Sequence, residues 1–171
     1  FCALEPSDSP VLVTYGDIIF GQKIVQQMLE ITDGIGLAVN LNWKKHYQNR
    51  TMHPLSEAEN VLVENGRILQ IRKNISESLQ SQQIGEFLGI VMLSSDHVKI
   101  LLEKYSYLKN NHAGTFHTSS SLSDAYMTDM LQEIINCGTN VNPVFTQEKW
   151  FEIDTPEDIK NAEKLINEFQ S

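Results

Sequence analysis

The order of apolar and polar positions predicts strands alternating with helices. Val11-Leu12-Val13-Thr14-Tyr15 is a short, partly β-branched apolar run stopped by Gly16-Asp17, which predicts a buried strand. From Gln22 to Ile31 the apolar residues Ile24, Val25, Met28, Leu29 and Ile31 recur at helical spacing, and Asp33-Gly34 breaks the pattern. Gly36 to Leu41 is a second strand. Strand, helix and strand within about thirty residues outline a βαβ unit, and with it a mostly parallel sheet.

In the middle of the chain, Asn65-Gly66 sits between the apolar-rich runs Val61 to Glu64 and Arg67 to Ile71, which predicts a β-hairpin. Gln80 to Gln83 is polar and predicts a loop, and the unbroken apolar run Phe87 to Leu93 predicts a central strand. Ser94-Ser95-Asp96 offers caps for a helix reaching about Lys109. Asn110 to Ser121, rich in Asn, Gly, Thr and Ser, predicts a mobile segment. Helical spacing returns from Leu122 to Asn136, and Gly138 stands in the position of a C-terminal cap. Two short strands follow, Val141 to Phe145 and Trp150 to Ile153. Thr155, Pro156, Glu157 and Asp158 then open a last helix over Ile159 to Phe169.

The expected fold class is therefore α/β, a mixed and mostly parallel sheet flanked by helices with an inserted β-hairpin, in a single domain over residues 1–171. Composition narrows the function. The chain is 41% hydrophobic and 20% charged, a globular balance, and no apolar run is long enough to span a bilayer. Thirteen basic against twenty-two acidic side chains leave a net charge of −9, which argues against nucleic acid or an anionic membrane as partner. Cys2 and Cys137 form neither a metal pattern nor a disulfide framework, and two thiols suit a reducing cytoplasm.

Two acidic residues stand just beyond strand ends, where open α/β sheets collect ligands. Asp17 follows the first strand, and Asp154 follows the Trp150 run with Glu152 beside it. Taken singly, Asp17 reads as a turn residue capping the next helix and Asp154 as the residue before a cap. Together, two strand-end carboxylates suit one hard divalent cation such as Mg²⁺. The chain contains no Walker A loop, dinucleotide fingerprint, zinc pattern or nucleophile elbow.

The succession VLVTYGDIIF, AENVLVENGRILQIRKNI, IGEFLGIVMLS, YMTDMLQEIINCG and WFEIDTPEDIKNAEKL resembles the nucleotidyltransferases of glycosyltransferase-A-like fold. The branch it resembles acts on phosphocholine, 2-aminoethylphosphonate and related acceptors, some members being associated with phosphoenolpyruvate mutase. The resemblance runs from about Val11 to Ala162. It implies Mg²⁺-dependent transfer of a nucleotidyl group, cytidylyl from CTP by preference, to a small phospho- or phosphono-acceptor with release of pyrophosphate. It implies Asp17, Asp154 and Glu152 as metal ligands, Lys73 near the acceptor phosphate and Glu86 facing the acceptor. Trp43 stands where phosphocholine-specific relatives place an aromatic wall, with Tyr126 and Asp124 as companions.

His53, in RTMHPLSEAE, resembles phrasing in mutase-associated members but receives no role, and His46, His97, His112 and His117 are expected at the surface. The family's Gly-rich nucleotide loop is absent, and the chain opens without Met. The expectation is an N-terminally truncated enzyme, inactive as given, with an incomplete sheet edge. Two readings compete with nucleotidyl transfer: a binding or regulatory module that keeps the fold, and a glycosyltransferase, which would usually show an Asp-x-Asp motif.

Overall fold

A computed structural model describes residues 5, 7–48, 50–76 and 78–170, so the expectations for Cys2 and for the first four residues lie outside the described part. Strand β6 (Gln82–Leu93) is the axis of the main sheet and is apolar enough to be buried on both faces. On one edge it pairs antiparallel with β3 (Ile35–Asn40), and β7 (Val141–Phe145) adds parallel to β3. The other edge carries two strands end to end. β1 (Val11–Thr14) pairs with residues 90–93 and β4 (Glu59–Glu64) with residues 82–86. The predicted Asn-Gly hairpin joins β4 to β5 (Arg67–Lys73), with positive φ at Asn65 (51°) and Gly66 (74°) as a primed turn requires. It is part of the main sheet rather than an appendage.

The expectation of a mostly parallel sheet is corrected here, because β3–β7 is its one parallel pairing among the described residues. β1 and β3 do run the same way and are joined through helix α1 (Gln22–Leu29), as the βαβ pattern predicts. They are not neighbours, however, since β6 enters between them in the opposite sense.

Alternation along the strands sorts two cores. Leu37, Val39, Phe87, Val91 and Leu93 face α2 (Ser95–Asn111) and α3 (Met127–Asn136). Ala38, Leu88, Ile90 and Met92 face α1 and Trp150 of β8 (Trp150–Glu152). A small cluster of Trp43, Tyr47, Ala58 and Ile84 is separate from both, with Trp43 and Tyr47 on the single-turn helix Trp43–Tyr47.

A strand missed by pattern, β2 (Ile18–Phe20), pairs antiparallel with β8, Ile18 opposite Glu152. Asp17 therefore caps no helix, since α1 begins at Gln22 after Gly21. Helix α2 runs two residues beyond Lys109, and the segment expected to be mobile is tied down: Asp129 accepts from Thr118 N, Thr118 Oγ1 and Ser119 Oγ at 2.7 to 3.1 Å. The last helix, α4 (Pro156–Gln170), begins at the predicted Pro.

Candidate active site

The edge of β6 is unpaired by strand at residues 87–89, where β1 ends and β4 begins. Tyr15 closes part of the gap by donating its N–H to Gly89 O at 2.9 Å. Gly89 has φ +69°, and a Cβ there would lie 2.6 Å from the Tyr15 ring, so both conformation and space require glycine. A cavity of about 180 Å³ opens at this interruption. The β2–β8 pairing delivers the acidic residues to it: Ile153 N donates to Asp17 O at 2.8 Å, which sets Asp17 beside the Glu152-Ile153-Asp154 strand end.

Asp17, Glu152, Asp154, Lys73, Glu86 and Tyr126 all line this one cavity. Lys73 Nζ lies 2.6 Å from Glu57 Oε2, and that bond raises its pKa. Glu86 is 2% exposed; Tyr47 donates its phenol to Oε1, and Oε2 has no hydrogen-bond partner among the described residues. Burial pushes the Glu86 carboxyl up to about 8. Glu152 is also raised, by burial first and then by Asp154 and Asp17. Burial likewise raises Glu59, although Tyr15 Oη and Thr128 Oγ1 donate to it at 3.1 and 3.2 Å.

Two of the implied residues lie elsewhere. Trp43 is 4% exposed, donates Nε1–H to Ile84 O at 3.4 Å and lines a different pocket, so it forms no wall of this cavity. Asp124 accepts from Ser120 Oγ and Ser121 Oγ at 2.5 and 2.8 Å, in an exposed turn before α3. Of the histidines expected at the surface, His46 is half-buried against Trp150, with centroids 4.8 Å apart, and burial lowers its pKa.

Sequence reasoning missed the support behind the carboxylates. Arg50, its side chain 3% exposed, donates Nε and Nη2 to Asp158 at 2.9 and 2.8 Å, and Nη2 also to Asp154 Oδ2 at 3.0 Å. His53 Nδ1 lies 3.0 Å from the same Asp154 oxygen. Asp158 Oδ2 in turn accepts from Asp154 N, Thr155 N and Thr155 Oγ1. One ion-pair network thus fixes the Asp154 backbone and one of its carboxylate oxygens. Arg50 and His53 lie in a loop without periodicity; the resemblance picked out His53 without giving it a role, and the other signal was the Asp-Thr-Pro-Glu-Asp helix start on the partner side.

His53, Glu152 and Asp154 each offer a donor atom, all within 4.8 Å of one another. Carboxylates beside an imidazole suit a divalent cation. Asp17 lines the same cavity outside that trio.

No family model matches the chain. Its sequence is 26% identical over 161 residues to the CTP:phosphoglutamine cytidylyltransferase of Campylobacter jejuni, covering 93% of this chain and 60% of that protein. In structure it is similar to the inositol-1-phosphate CTP transferase of T. maritima, with TM-score 0.63 and 19% identity over 96% of this chain and 58% of that one. A Bacillus anthracis protein described as a glucose-1-phosphate thymidylyltransferase gives TM-score 0.58 and 18% identity, over 94% of this chain and 55% of that one. The chain spans about 60% of the curated relative's length. No helix among the described residues is long and apolar enough to cross a membrane. The fold is that of the glycosyltransferase-A-like nucleotidyltransferases, and these similarities support the resemblance carried by the motifs.

Proposed function

We propose that the protein transfers a nucleotidyl group, cytidylyl by preference, from a nucleoside triphosphate to a small phosphorylated or phosphonate acceptor. The observation that carries this reading is the convergence of Asp17, Glu152 and Asp154 with Lys73 and Glu86 on one cavity at the interrupted edge of β6. The CTP-using relatives favour the cytidylyl group.

An oxygen of the acceptor's phosphoryl or phosphonyl group attacks the α-phosphorus, a new P–O bond forms, and the α–β phosphoanhydride breaks with pyrophosphate leaving. Asp154, Glu152 and Asp17 would hold Mg²⁺, with His53 in reach. When bound, the ion supplies charge stabilisation for the phosphates. Lys73 attracts the acceptor's phosphate, and its bond to Glu57 holds the ammonium at the cavity. Arg50 acts through Asp154, fixing one carboxylate oxygen so that the other is presented to the cavity. The acceptor's anionic oxygen needs no strong general base.

The test is pyrophosphate release by the full-length protein with Mg²⁺ and CTP against an acceptor panel. The panel holds phosphocholine, 2-aminoethylphosphonate, phosphoglutamine and inositol 1-phosphate, with Asp17→Ala and Asp154→Ala alongside. Release with one acceptor, lost in both variants, supports the reading. Silence with every acceptor, and with the other nucleoside triphosphates in place of CTP, from a protein shown to be folded, favours a module that binds without catalysing.

A further inference from the structure

The motif RTMHPLSEAE gives His53 no role, yet His53 is the one histidine among the described residues that lines the cavity. Its ring is held from two sides. Nδ1 lies 3.0 Å from Asp154 Oδ2, and the Tyr47 ring stands beside it with centroids 5.7 Å apart. Pro54, next in the chain, biases the His53 backbone towards extended conformations. Asp154 Oδ2 does not need this imidazole, because Arg50 Nη2 already donates to the same oxygen at 3.0 Å. A histidine kept only as a hydrogen-bond donor would duplicate the arginine.

The ring's other nitrogen is the informative one. A neutral imidazole carries one N–H and one lone pair. With Nδ1–H given to Asp154, the lone pair falls on Nε2, which is buried and has no hydrogen-bond partner among the described residues. Buried polar atoms are almost always bonded, so this lone pair asks for a partner. The surrounding groups say which kind. Glu152 and Asp154 each bring a carboxylate oxygen within 4.8 Å of a ring nitrogen, and Asp17 lines the same cavity. Lone pairs gathered in this way suit a cation better than another hydrogen-bond acceptor.

Resting on the metal site of the nucleotidyl-transfer reading, we infer that His53 gives that cation a nitrogen ligand, with Asp154 Oδ2 orienting the ring, so that the site takes a first-row transition ion such as Mn²⁺ in preference to Mg²⁺. Mg²⁺ keeps to oxygen ligands and to its own water, whereas transition ions gain from an imidazole. A carboxylate that receives the other ring N–H fixes the tautomer and raises the basicity of the ligand nitrogen. His53 is thereby a specificity-determining residue for the metal.

Electron paramagnetic resonance on the full-length protein loaded with Mn²⁺, without nucleotide or acceptor, reads the ligand directly as a nitrogen hyperfine coupling. Competition by Mg²⁺ in the same samples gives the ratio of the two dissociation constants. The expected result is a nitrogen coupling, with Mn²⁺ held about tenfold tighter than Mg²⁺ or more. His53→Gln keeps an N–H for Asp154 but has no nitrogen lone pair, so it should lose the coupling and lower the ratio severalfold. A wild type without the coupling, a coupling that survives His53→Gln, a ratio unchanged by the substitution, or no bound Mn²⁺ overturns the inference. Where His53→Gln does not fold, judged by its unfolding transition, the wild-type coupling and ratio decide. Pyrophosphate release is read separately. Release by a protein that shows no coupling sinks His53 as a ligand and leaves the transfer reading standing. A coupling in a protein that releases no pyrophosphate with any acceptor or triphosphate sinks the transfer reading and leaves the nitrogen ligand in place.

Discussion

Replacing Arg50 by alanine removes a buried cation from two carboxylates at once. The side chain is 3% exposed, makes a two-pronged bond to the fully buried Asp158, and reaches Asp154 with the same nitrogen. Removing one partner of a buried pair costs about 3–5 kcal/mol, because the survivor stays buried and uncompensated. Asp158 would keep donors from Thr155 N, Thr155 Oγ1 and Asp154 N, which places the expected loss near the low end, about 3 kcal/mol. For a chain of this size, that is a fall of roughly 6–12 °C in Tm. The pH dependence carries a signature. Burial works to raise the Asp158 carboxyl, but bonds from Arg50 and Thr155 outweigh it and hold the group below its ordinary 3.8. A depressed carboxyl contributes stability that is present above the unfolded value and lost as pH falls through the folded one. The gap between wild type and Arg50→Ala should therefore be full at pH 7 and narrow below about pH 3.8. Urea unfolding followed by circular dichroism at both pH values measures it. A loss under about 1 kcal/mol at pH 7, or a gap indifferent to pH, would refute the assignment of Arg50 as the pin of this network.

Three further outcomes are expected. Glu86 is raised to about 8 from an ordinary 4.5, so its contribution to stability is full below 4.5 and lost as pH rises towards 8, by about 1.4 kcal/mol per pH unit for the one proton. Glu86→Gln should remove that slope, and parallel stability–pH curves for the two proteins would contradict it. Gly89→Ala should destabilise by about 2–4 kcal/mol in chemical unfolding, since the new methyl needs a positive φ and meets the Tyr15 ring at 2.6 Å. A variant within about 0.5 kcal/mol of wild type would mean that Tyr15 moves freely. Mn²⁺ at about a hundred times its Kd should stabilise the protein by about 2.7 kcal/mol, read as a rise in Tm, and Asp154→Asn should lose most of that rise. Equal shifts in both proteins would place the ion elsewhere.

The legible parts of the fold were those with local causes. Asn65-Gly66 declared its hairpin because both residues tolerate positive φ, and Thr155-Pro156 declared its helix start. Sheet direction was not legible: Phe87 to Leu93 advertises burial on both faces, and burial is the same whether a strand runs parallel or antiparallel. β2 escaped because three residues, Ile18-Ile19-Phe20, are too few to show a period, and its partner β8 lies more than a hundred residues away. Trp43 was misleading for a related reason, since an aromatic side chain looks the same in sequence whether it lines a ligand cavity or a small core.

The same distinction explains how much of the candidate site could be read. Asp17 and Asp154 were visible because a polar residue ending an apolar run is a local event. Arg50, Tyr47 and His53 were not, because each acts on a partner delivered by another part of the chain: Arg50 meets Asp158 across 108 positions, and Tyr47 meets Glu86 across 39. What these partners leave undone is more informative than what they do. The chain spends its one buried arginine on Asp158 and Asp154, and among the described residues no cation hydrogen-bonds Glu86. A fold that only needed stability would gain by replacing such a carboxyl with an apolar side chain, because burying it uncompensated works against folding. Keeping it makes physical sense if positive charge reaches the carboxyl from outside the chain.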